Sequence, residues 1–151
     1  MAGARTVAIV EPMSTTTPSS SPTAALVRGY LDAVRGGDHD TARAALHDDA
    51  SLTFPGSSPL AGTWRGADVM LGEFLDRVRA RFAPDAATFD TRNVVADGDR
   101  VVVEWTIHAR TSAGDPYDND YVAIFELRDG RIAAMREYLD TAYAERVLFS
   151  A

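Results

Sequence analysis

The segment Tyr117–Thr141, YDNDYVAIFELRDGRIAAMREYLDT, is the part of this sequence that decides its fold. It reads as two β-strands joined at Asp129-Gly130, because Asp-Gly between alternating apolar residues is a strong signal for a tight hairpin turn. The segment therefore predicts an antiparallel strand pair, and the rest of the chain is interpreted around it.

Three polar residues of this hairpin share a strand face with apolar residues: Asn119 and Tyr121 on the first strand, and Glu137 on the second. The apolar residues that alternate with them are Ala123, Phe125, Leu127, Ala133, Met135 and Leu139. A polar group on an apolar face costs free energy unless it is hydrogen-bonded or lines a pocket. The hairpin therefore predicts a site without naming a substrate.

The composition is that of one globular domain, and it excludes several kinds of site. The chain has 151 residues, of which 46% are hydrophobic, enough for a single sizeable core. The formal net charge of -7 argues against a nucleic-acid or anionic-membrane partner, since both need a basic patch. The chain has no cysteine, which excludes disulfides and thiol nucleophiles. No apolar run reaches the length of a membrane span or signal-peptide core, so we expect a cytoplasmic protein.

Domain organisation follows from the low-complexity run MSTTTPSSSP at residues 13–22. A segment without apolar periodicity predicts a disordered tail over residues 1–22 and one folded domain over residues 23–151. Within the tail, Met13 is a second candidate for the translation start.

Helices are predicted to precede most of the strands. Ser21 suits the cap of a first helix, Pro22 its first position, and Gly36-Gly37 its end. Asp40 is predicted to cap a short second helix that carries residues up to Leu46.

The remaining pattern predicts a short strand over 51–54, a loop over 56–66 and a third helix over 67–82. Strands over 89–96 and 101–110 then lead into the hairpin. Helices followed by a long antiparallel meander indicate an α+β domain, in which a curved antiparallel or mixed sheet wraps the helices as a cone with an internal cavity.

Four local features, in this order and at these spacings, carry a resemblance to a known family. They are YLDAVRGGD at residues 30–38, DASLTFP at 49–55, GTWRG at 62–66, and the hairpin. Over roughly residues 23–145 the chain resembles the SnoaL-like branch of the nuclear-transport-factor-2-like superfamily. That superfamily includes ketosteroid isomerases, limonene-type epoxide hydrolases, scytalone dehydratase, polyketide cyclases and binding modules without catalysis, so the fold leaves the function open.

The resemblance to ketosteroid isomerases implies only part of their catalytic set. Tyr30 matches their oxyanion-stabilising tyrosine, whereas Phe54 stands at the place of their catalytic base and Ala123 at that of their second oxyanion acid. Steroid isomerisation by that mechanism is therefore not expected.

The resemblance to limonene-type epoxide hydrolases is also incomplete. Only Glu137 matches an acid of their set. Their arginine and first aspartate fall on Trp105 and Ile107, and their tyrosine and asparagine fall on Leu52 and Phe54.

Both comparisons place the pocket on the strand face that alternation selects. The polar points predicted there are Glu137, Asn119, Tyr121 and Tyr30. The apolar residues predicted to bind the ligand are Phe54, Trp105, Ile107, Phe125, Met135 and Leu139. Such a lining is typical of a pocket for a hydrophobic small molecule with a few oxygen functions.

Each polar residue has a functional and a structural interpretation. Glu137 in an apolar cavity suits a general acid or base, and its alternative is an ion pair with Arg136 or an arginine of the third helix. Asn119 and Tyr121 suit the stabilisation of a carbonyl or enolate oxygen, and their alternative is internal hydrogen bonding. Asp140 suits a capping role.

The functional hypothesis is a cofactor-independent enzyme that acts by acid-base chemistry, of the isomerase, cyclase, dehydratase or epoxide hydrolase type. The alternatives are a non-catalytic ligand-binding module and a dimerisation domain with the same fold. A catalytic pocket needs a volume of about a few hundred Å³, whereas a structural domain fills that space with Trp105, Phe54 and Phe74. No metal is expected, because the three histidines, His39, His47 and His108, lack the spacing of metal ligands.

The outer sheet face predicts an assembly. It carries Glu104, Thr106 and His108 together with apolar Val102, Val122 and Ile124. A face this apolar is not expected to stay fully solvated, so we expect a homodimer.

Overall fold

The structure, a computed structural model, describes residues 21–150. In chain order the elements are helices α1 (Pro22–Gly36) and α2 (His39–Ala44), strands β1 (Leu46–Phe54) and β2 (Gly62–Arg65), helix α3 (Ala67–Val69), a π-helical turn (Met70–Phe74), helix α4 (Leu75–Arg79), strands β3 (Thr88–Asp97), β4 (Arg100–Arg110), β5 (Pro116–Arg128) and β6 (Arg131–Leu139), helix α5 (Thr141–Ala144) and a second π-helical turn (Glu145–Phe149). The predicted tail lies outside the described residues except for Ser21 and Pro22, which cap and begin α1.

The sheet has six strands in the order β2-β1-β6-β5-β4-β3. β1 and β6 pair in parallel, and the other neighbours pair antiparallel, so the sheet is mixed. β2 and β3 are its two edges, and the sheet is not closed. The helices cover its apolar face, which confirms the predicted α+β class.

The hairpin has the predicted turn and register. Asp129 and Gly130 both have positive φ, 51° and 72°, as a two-residue turn of this hand requires. Ala123 pairs with Glu137, and Phe125 pairs with Met135. The polar residues therefore share the inner face with buried apolar ones, as predicted.

Helix α1 forms as its sequence predicts. The Ser21 Oγ accepts a hydrogen bond from the Ala24 amide at 3.1 Å, and Gly37 ends the helix with a φ of 76° that favours glycine. Its buried side includes Val27 and Tyr30, which face the core beneath the sheet.

The second helix differs from its prediction. Asp38, not Asp40, caps α2, and its Oδ1 accepts from the Thr41 amide at 3.1 Å. Leu46 does not belong to the helix but begins β1, opposite Ile132 on β6. Pairing with a distant strand outweighs the helical pattern at this residue.

Two boundaries near the third helix are also corrected. The predicted loop over 56–66 contains β2, an edge strand in which Gly62 pairs with Phe54. The predicted helix over 67–82 ends at Arg79. Beyond it, Phe82 forms an isolated β-bridge with Thr111. The backbone there pairs with a distant segment and does not continue the predicted helix.

The C-terminal helix was not predicted, although Asp140 has the predicted capping role. Its Oδ1 accepts from the Tyr143 amide at 2.9 Å and begins α5. The Glu145 carboxylate then accepts from the amide and hydroxyl of Ser57, each at 2.9 Å, which ties this segment to the loop after β1. None of the helices within residues 21–150 has the length and apolar character needed to cross a bilayer.

The homodimer stays a prediction, and the outer sheet face provides its test. Val122 and Ile124 are half-buried there in the single chain. We expect light scattering at micromolar concentration to give twice the chain mass of 16.3 kDa, and Val122→Glu to give the monomer mass. Val69→Glu, at a residue 37% exposed on α3, should leave the dimer intact. A monomer mass for the unmodified protein would exclude this assembly.

Candidate active site

A cavity of about 140 Å³ lies between the inner sheet face, α1, the third helical segment (α3, the first π-helical turn and α4) and the C-terminal turn (Glu145–Phe149). It compares with an engineered cavity of about 150 Å³ that holds benzene, and it is smaller than the few hundred Å³ predicted for a catalytic pocket. Phe54, Phe74 and Trp105 line the space and leave it unfilled. The other lining residues are Tyr30, Leu31, Val34, Arg35, Leu52, Leu60, Met70, Leu75, Val78, Arg81, Phe82, Phe89, Ile107, Tyr121, Met135, Glu137, Ala144, Leu148 and Phe149.

Glu137 reaches the cavity from β6, where it alternates with buried Met135. The predicted alternative, an ion pair with Arg136, does not form, because Arg136 pairs with Glu126 at 3.0 Å. Arg77 of α4 is likewise held by Glu73 at 2.6 Å. Within residues 21–150, no side chain pairs with the Glu137 carboxyl or donates a hydrogen bond to it.

Desolvation sets the acidity of Glu137. Its side chain keeps some accessible surface where it borders the cavity, and protein atoms enclose it elsewhere. Burial without a compensating partner raises the pKa of Glu137 from 4.5 to about 7. Near neutral pH the group is therefore present both as a carboxylate and as a carboxylic acid, as exchange of protons in either direction requires.

Tyr30 is the second polar group of the cavity. It extends from α1 and packs edge-on against Phe125, with 6.1 Å between ring centroids. Its hydroxyl makes no hydrogen bond within the described part of the chain, and it borders the cavity. Burial, followed by the negative charge of Glu137, raises the pKa of Tyr30 above its ordinary value, so the hydroxyl stays a proton donor.

A chain of hydrogen bonds supports Tyr121, the third polar group. The Asn119 Nδ2 donates to the Tyr117 oxygen at 2.9 Å and to the Asp140 carbonyl at 3.1 Å. The Tyr117 and Tyr121 hydroxyls lie 2.8 Å apart. Because an amide nitrogen only donates, the Tyr117 oxygen accepts from Asn119, and either hydroxyl can be the donor between Tyr117 and Tyr121. When Tyr117 is the donor, the Tyr121 proton is free for a ligand oxygen in the cavity.

Three predicted site residues do not line the cavity. Asn119 is turned towards Tyr117 and Asp140, which matches the internal hydrogen bonding weighed as its alternative. Phe125 is fully buried beneath the Tyr30 ring, and Leu139 packs against the core at the end of β6. The remaining predicted residues line it, namely Tyr30, Phe54, Trp105, Ile107, Tyr121, Met135 and Glu137.

Sequence reasoning missed two arginines of the cavity wall. Arg35 lies in the last turn of α1, and Arg81 follows the end of α4. The signal for Arg35 was its position four residues after Leu31 and five after Tyr30, at the border of the apolar helix face. Arg81 falls within the helix predicted over 67–82, whose arginines were considered only as ion-pair partners of Glu137, and the observed helix ends before it.

Tyr117→Phe tests the hydrogen-bond chain through stability. The change removes one partner from the Asn119 amide and one from the Tyr121 hydroxyl in a buried place. We expect the free energy of unfolding to fall by about 1–3 kcal/mol, measured by urea denaturation. Tyr138→Phe, at a residue 50% exposed, is the matched control and should have little effect. Equal effects of the two changes would show that the chain of bonds contributes nothing.

Several proteins of known structure are similar to this chain in sequence and fold. An NTF2-like protein of unknown function from Burkholderia pseudomallei is 26% identical, with a TM-score of 0.78 over 86% of this chain and 99% of that chain. TerC, co-crystallized with polyporic acid, is 26% identical, with a TM-score of 0.75 over 86% of this chain and 100% of that one. An LEH-like epoxide hydrolase from M. tuberculosis is 27% identical, with a TM-score of 0.66 over 84% of this chain and 89% of that chain.

The family assignment comes from the sequence itself. Among proteins with curated descriptions, no sequence matches this chain significantly. The family model of the SnoaL-like domain matches residues 27–135, which include the third helical segment and most of the cavity wall. The chain therefore belongs to the SnoaL-like domain family and has its NTF2-like fold.

Proposed function

We propose that this protein is a cofactor-independent enzyme that moves a proton on a hydrophobic, oxygen-bearing small molecule. Glu137 exchanges the proton, and the hydroxyls of Tyr121 and Tyr30 bind the oxygen on which negative charge develops. The reaction class is isomerisation, cyclisation or dehydration through an enol or enolate.

One observation carries this proposal: the Glu137 carboxyl is unpaired at the wall of an apolar cavity, and its pKa is raised to about 7. A structural carboxyl in such a place is normally paired, because an unpaired buried charge is costly. A general base works best when its pKa lies near the working pH. The free energy lost by leaving Glu137 unpaired is therefore explained if the raised pKa serves catalysis.

The two tyrosines suit the oxygen end of the reaction. When the Glu137 carboxylate takes a proton from the carbon next to a carbonyl, the electron pair moves onto the carbonyl oxygen. Hydroxyl donors already held in place stabilise that oxyanion in a cavity of low polarity. Tyr121 is held by the bond to Tyr117 at 2.8 Å, and the resulting carboxylic acid of Glu137 returns the proton at another atom.

The comparisons support an oxygen-bearing small molecule as the ligand. The related chains include an LEH-like epoxide hydrolase, 27% identical, and TerC, which was co-crystallized with polyporic acid. That this chain shares a ligand class with these two proteins is part of the proposal, because one fold can carry different functions. Another related chain is an NTF2-like protein of unknown function.

Deuterium exchange tests the proposal without knowledge of the natural substrate. The probe is 2-tetralone, a bicyclic ketone whose carbons next to the carbonyl exchange protons through an enol. In buffered D₂O we expect the protein to accelerate loss of these proton signals in ¹H NMR at pH 7–8. A rate equal to that of buffer, together with tight binding of the ketone, would instead indicate a binding module, which is the alternative function.

A further inference from the structure

The cavity contains two arginines that no carboxylate neutralises. The chain has 22 acidic and 15 basic residues, so partners of negative charge are abundant on its surface. Even so, neither Arg35 nor Arg81 forms an ion pair within residues 21–150. Both line the cavity that holds Glu137. An unpaired guanidinium in an apolar wall is costly unless something else supplies negative charge.

Arg35 is held in place with one nitrogen left unsatisfied. Its Nη1 donates to the Thr91 Oγ1 at 3.0 Å, and its guanidinium carbon lies 4.7 Å from the Phe89 ring centroid and 5.9 Å from that of Trp105. Its Nη2 is buried and has no hydrogen-bond acceptor among the described residues. Burial lowers the pKa of Arg35, partly opposed by the charge of Asp32.

Trp105 provides a second unsatisfied donor beside it. Its side chain is 4% exposed, and its Nε1 is buried without an acceptor in the part of the chain that the structure describes. A buried donor without a partner costs about 1–3 kcal/mol. Two such donors on neighbouring side chains point to one acceptor that both could share.

We propose that Arg35 and Trp105 form a subsite for an anionic oxygen of the ligand, either a carboxylate or an ionised phenol or enol. This inference rests on the proposed function, because it concerns the substrate of the same cavity. The anion accepts from the Arg35 Nη2 and the Trp105 Nε1, while the ring that bears it packs among the apolar lining residues.

Phe89 places this subsite at the cavity mouth. It is the most exposed of the lining residues, at 38%, and it stands on the edge strand β3 over the Arg35 guanidinium. Protein atoms cover both donors, and the Phe89 ring lies against the Arg35 guanidinium, so side chains at this mouth must move before a ligand oxygen reaches the two nitrogens. Arg81 adds a second positive charge to the wall, with its guanidinium carbon 4.7 Å from the Phe149 ring centroid.

The subsite is separated from the proton-transferring group. Trp105 is on β4 and Glu137 on β6, with β5 between them, and two strand spacings amount to about 10 Å. An anion held at Arg35 therefore does not meet the Glu137 carboxylate directly. The natural substrate accordingly carries its acidic oxygen about one to two rings away from the carbon that exchanges its proton.

A matched pair of probes tests the subsite: 2-naphthoate and its neutral amide, 2-naphthamide, titrated by calorimetry at pH 8. We expect the protein to bind naphthoate at least about tenfold more tightly than naphthamide, which corresponds to about 1.4 kcal/mol. Arg35→Gln should remove this preference, because it should weaken naphthoate binding at least about tenfold more than naphthamide binding. Arg79→Gln, at a residue whose side chain is 53% exposed and outside the cavity wall, should retain it.

Three outcomes overturn the subsite: equal binding of the two probes, a preference that survives Arg35→Gln, or no naphthoate binding at millimolar concentration. The comparison in the unmodified protein needs no variant, so it decides even if Arg35→Gln does not fold. Failure of the proposed function is distinguishable. Selective binding of naphthoate without 2-tetralone exchange would contradict the proposed enzymatic function and support the subsite. Exchange without selective binding would support the enzymatic function and contradict the subsite.

Discussion

Glu137→Gln should lower the rate of protein-catalysed 2-tetralone exchange by at least about a hundredfold, the lower range for loss of a general acid-base group. Glutamine keeps the shape of the side chain and cannot exchange a proton at neutral pH. Because Glu137 makes no hydrogen bond within residues 21–150, the change removes no bond that the folded protein needs. The measurement is the exchange rate by ¹H NMR, with circular dichroism to show that the fold persists.

Glu126→Gln is the matched control for this experiment. Glu126 lies on the neighbouring strand β5 and pairs with Arg136 at 3.0 Å, away from the cavity. Its substitution should leave exchange unchanged. If Glu137→Gln retains the full rate in a folded protein, Glu137 is not the acid-base group. If it unfolds the protein, the structural interpretation of Glu137 is the better one.

The second large effect is on stability as a function of pH. The pKa of Glu137 is about 7 in the folded protein against an ordinary value of 4.5, so between these values the folded state holds a proton that the unfolded state has released. The free energy of unfolding should therefore fall as the pH rises from 4.5 through 7. Over the whole window the loss is about 3 kcal/mol, because each tenfold difference in proton affinity between the two states corresponds to about 1.36 kcal/mol.

Glu137→Gln should abolish this loss, because glutamine does not titrate. Urea denaturation gives the free energy of unfolding of both proteins at pH 5 and at pH 8. The change between the two pH values is then compared between the proteins, so that the contributions of the other titrating groups cancel. From pH 5 to pH 8, we expect the free energy of unfolding of the variant to rise by about 2–3 kcal/mol relative to that of the unmodified protein. A constant difference between the two proteins would mean that Glu137 titrates with its ordinary pKa and is not desolvated.

Strand alternation predicted the cavity face but not the partners of each side chain on it. Period-two spacing placed Tyr121 and Glu137 on the buried face, where the structure has them on the cavity wall. The same rule placed Asn119 there, yet its amide is used by Tyr117 and Asp140. Alternation fixes the direction of a side chain, whereas hydrogen bonding depends on which residues of other elements come within reach.

The helical and terminal parts of the site were less predictable. A lone arginine on a helix, such as Arg35, is usually solvated, so its place on the cavity wall follows only from the packing of α1 against β3 and β4. The C-terminal turn is short, and Leu148 and Phe149 reach the cavity from a segment that the Glu145–Ser57 hydrogen bonds tie to the loop after β1. Contacts between segments so far apart in sequence leave no local pattern.

The parallel pairing of β1 with β6 has a consequence for the synthesis of the protein. Leu46 pairs with Ile132, which is 86 residues later (132 minus 46). At roughly 5–20 residues per second, the ribosome needs roughly 4–17 seconds to make the intervening chain. Throughout that interval, β1 lacks the neighbour that joins it to the rest of the sheet, and Leu52 lacks its partner Met135. Variants that weaken β6 should therefore lower the yield of soluble protein before any loss of catalysis is measurable.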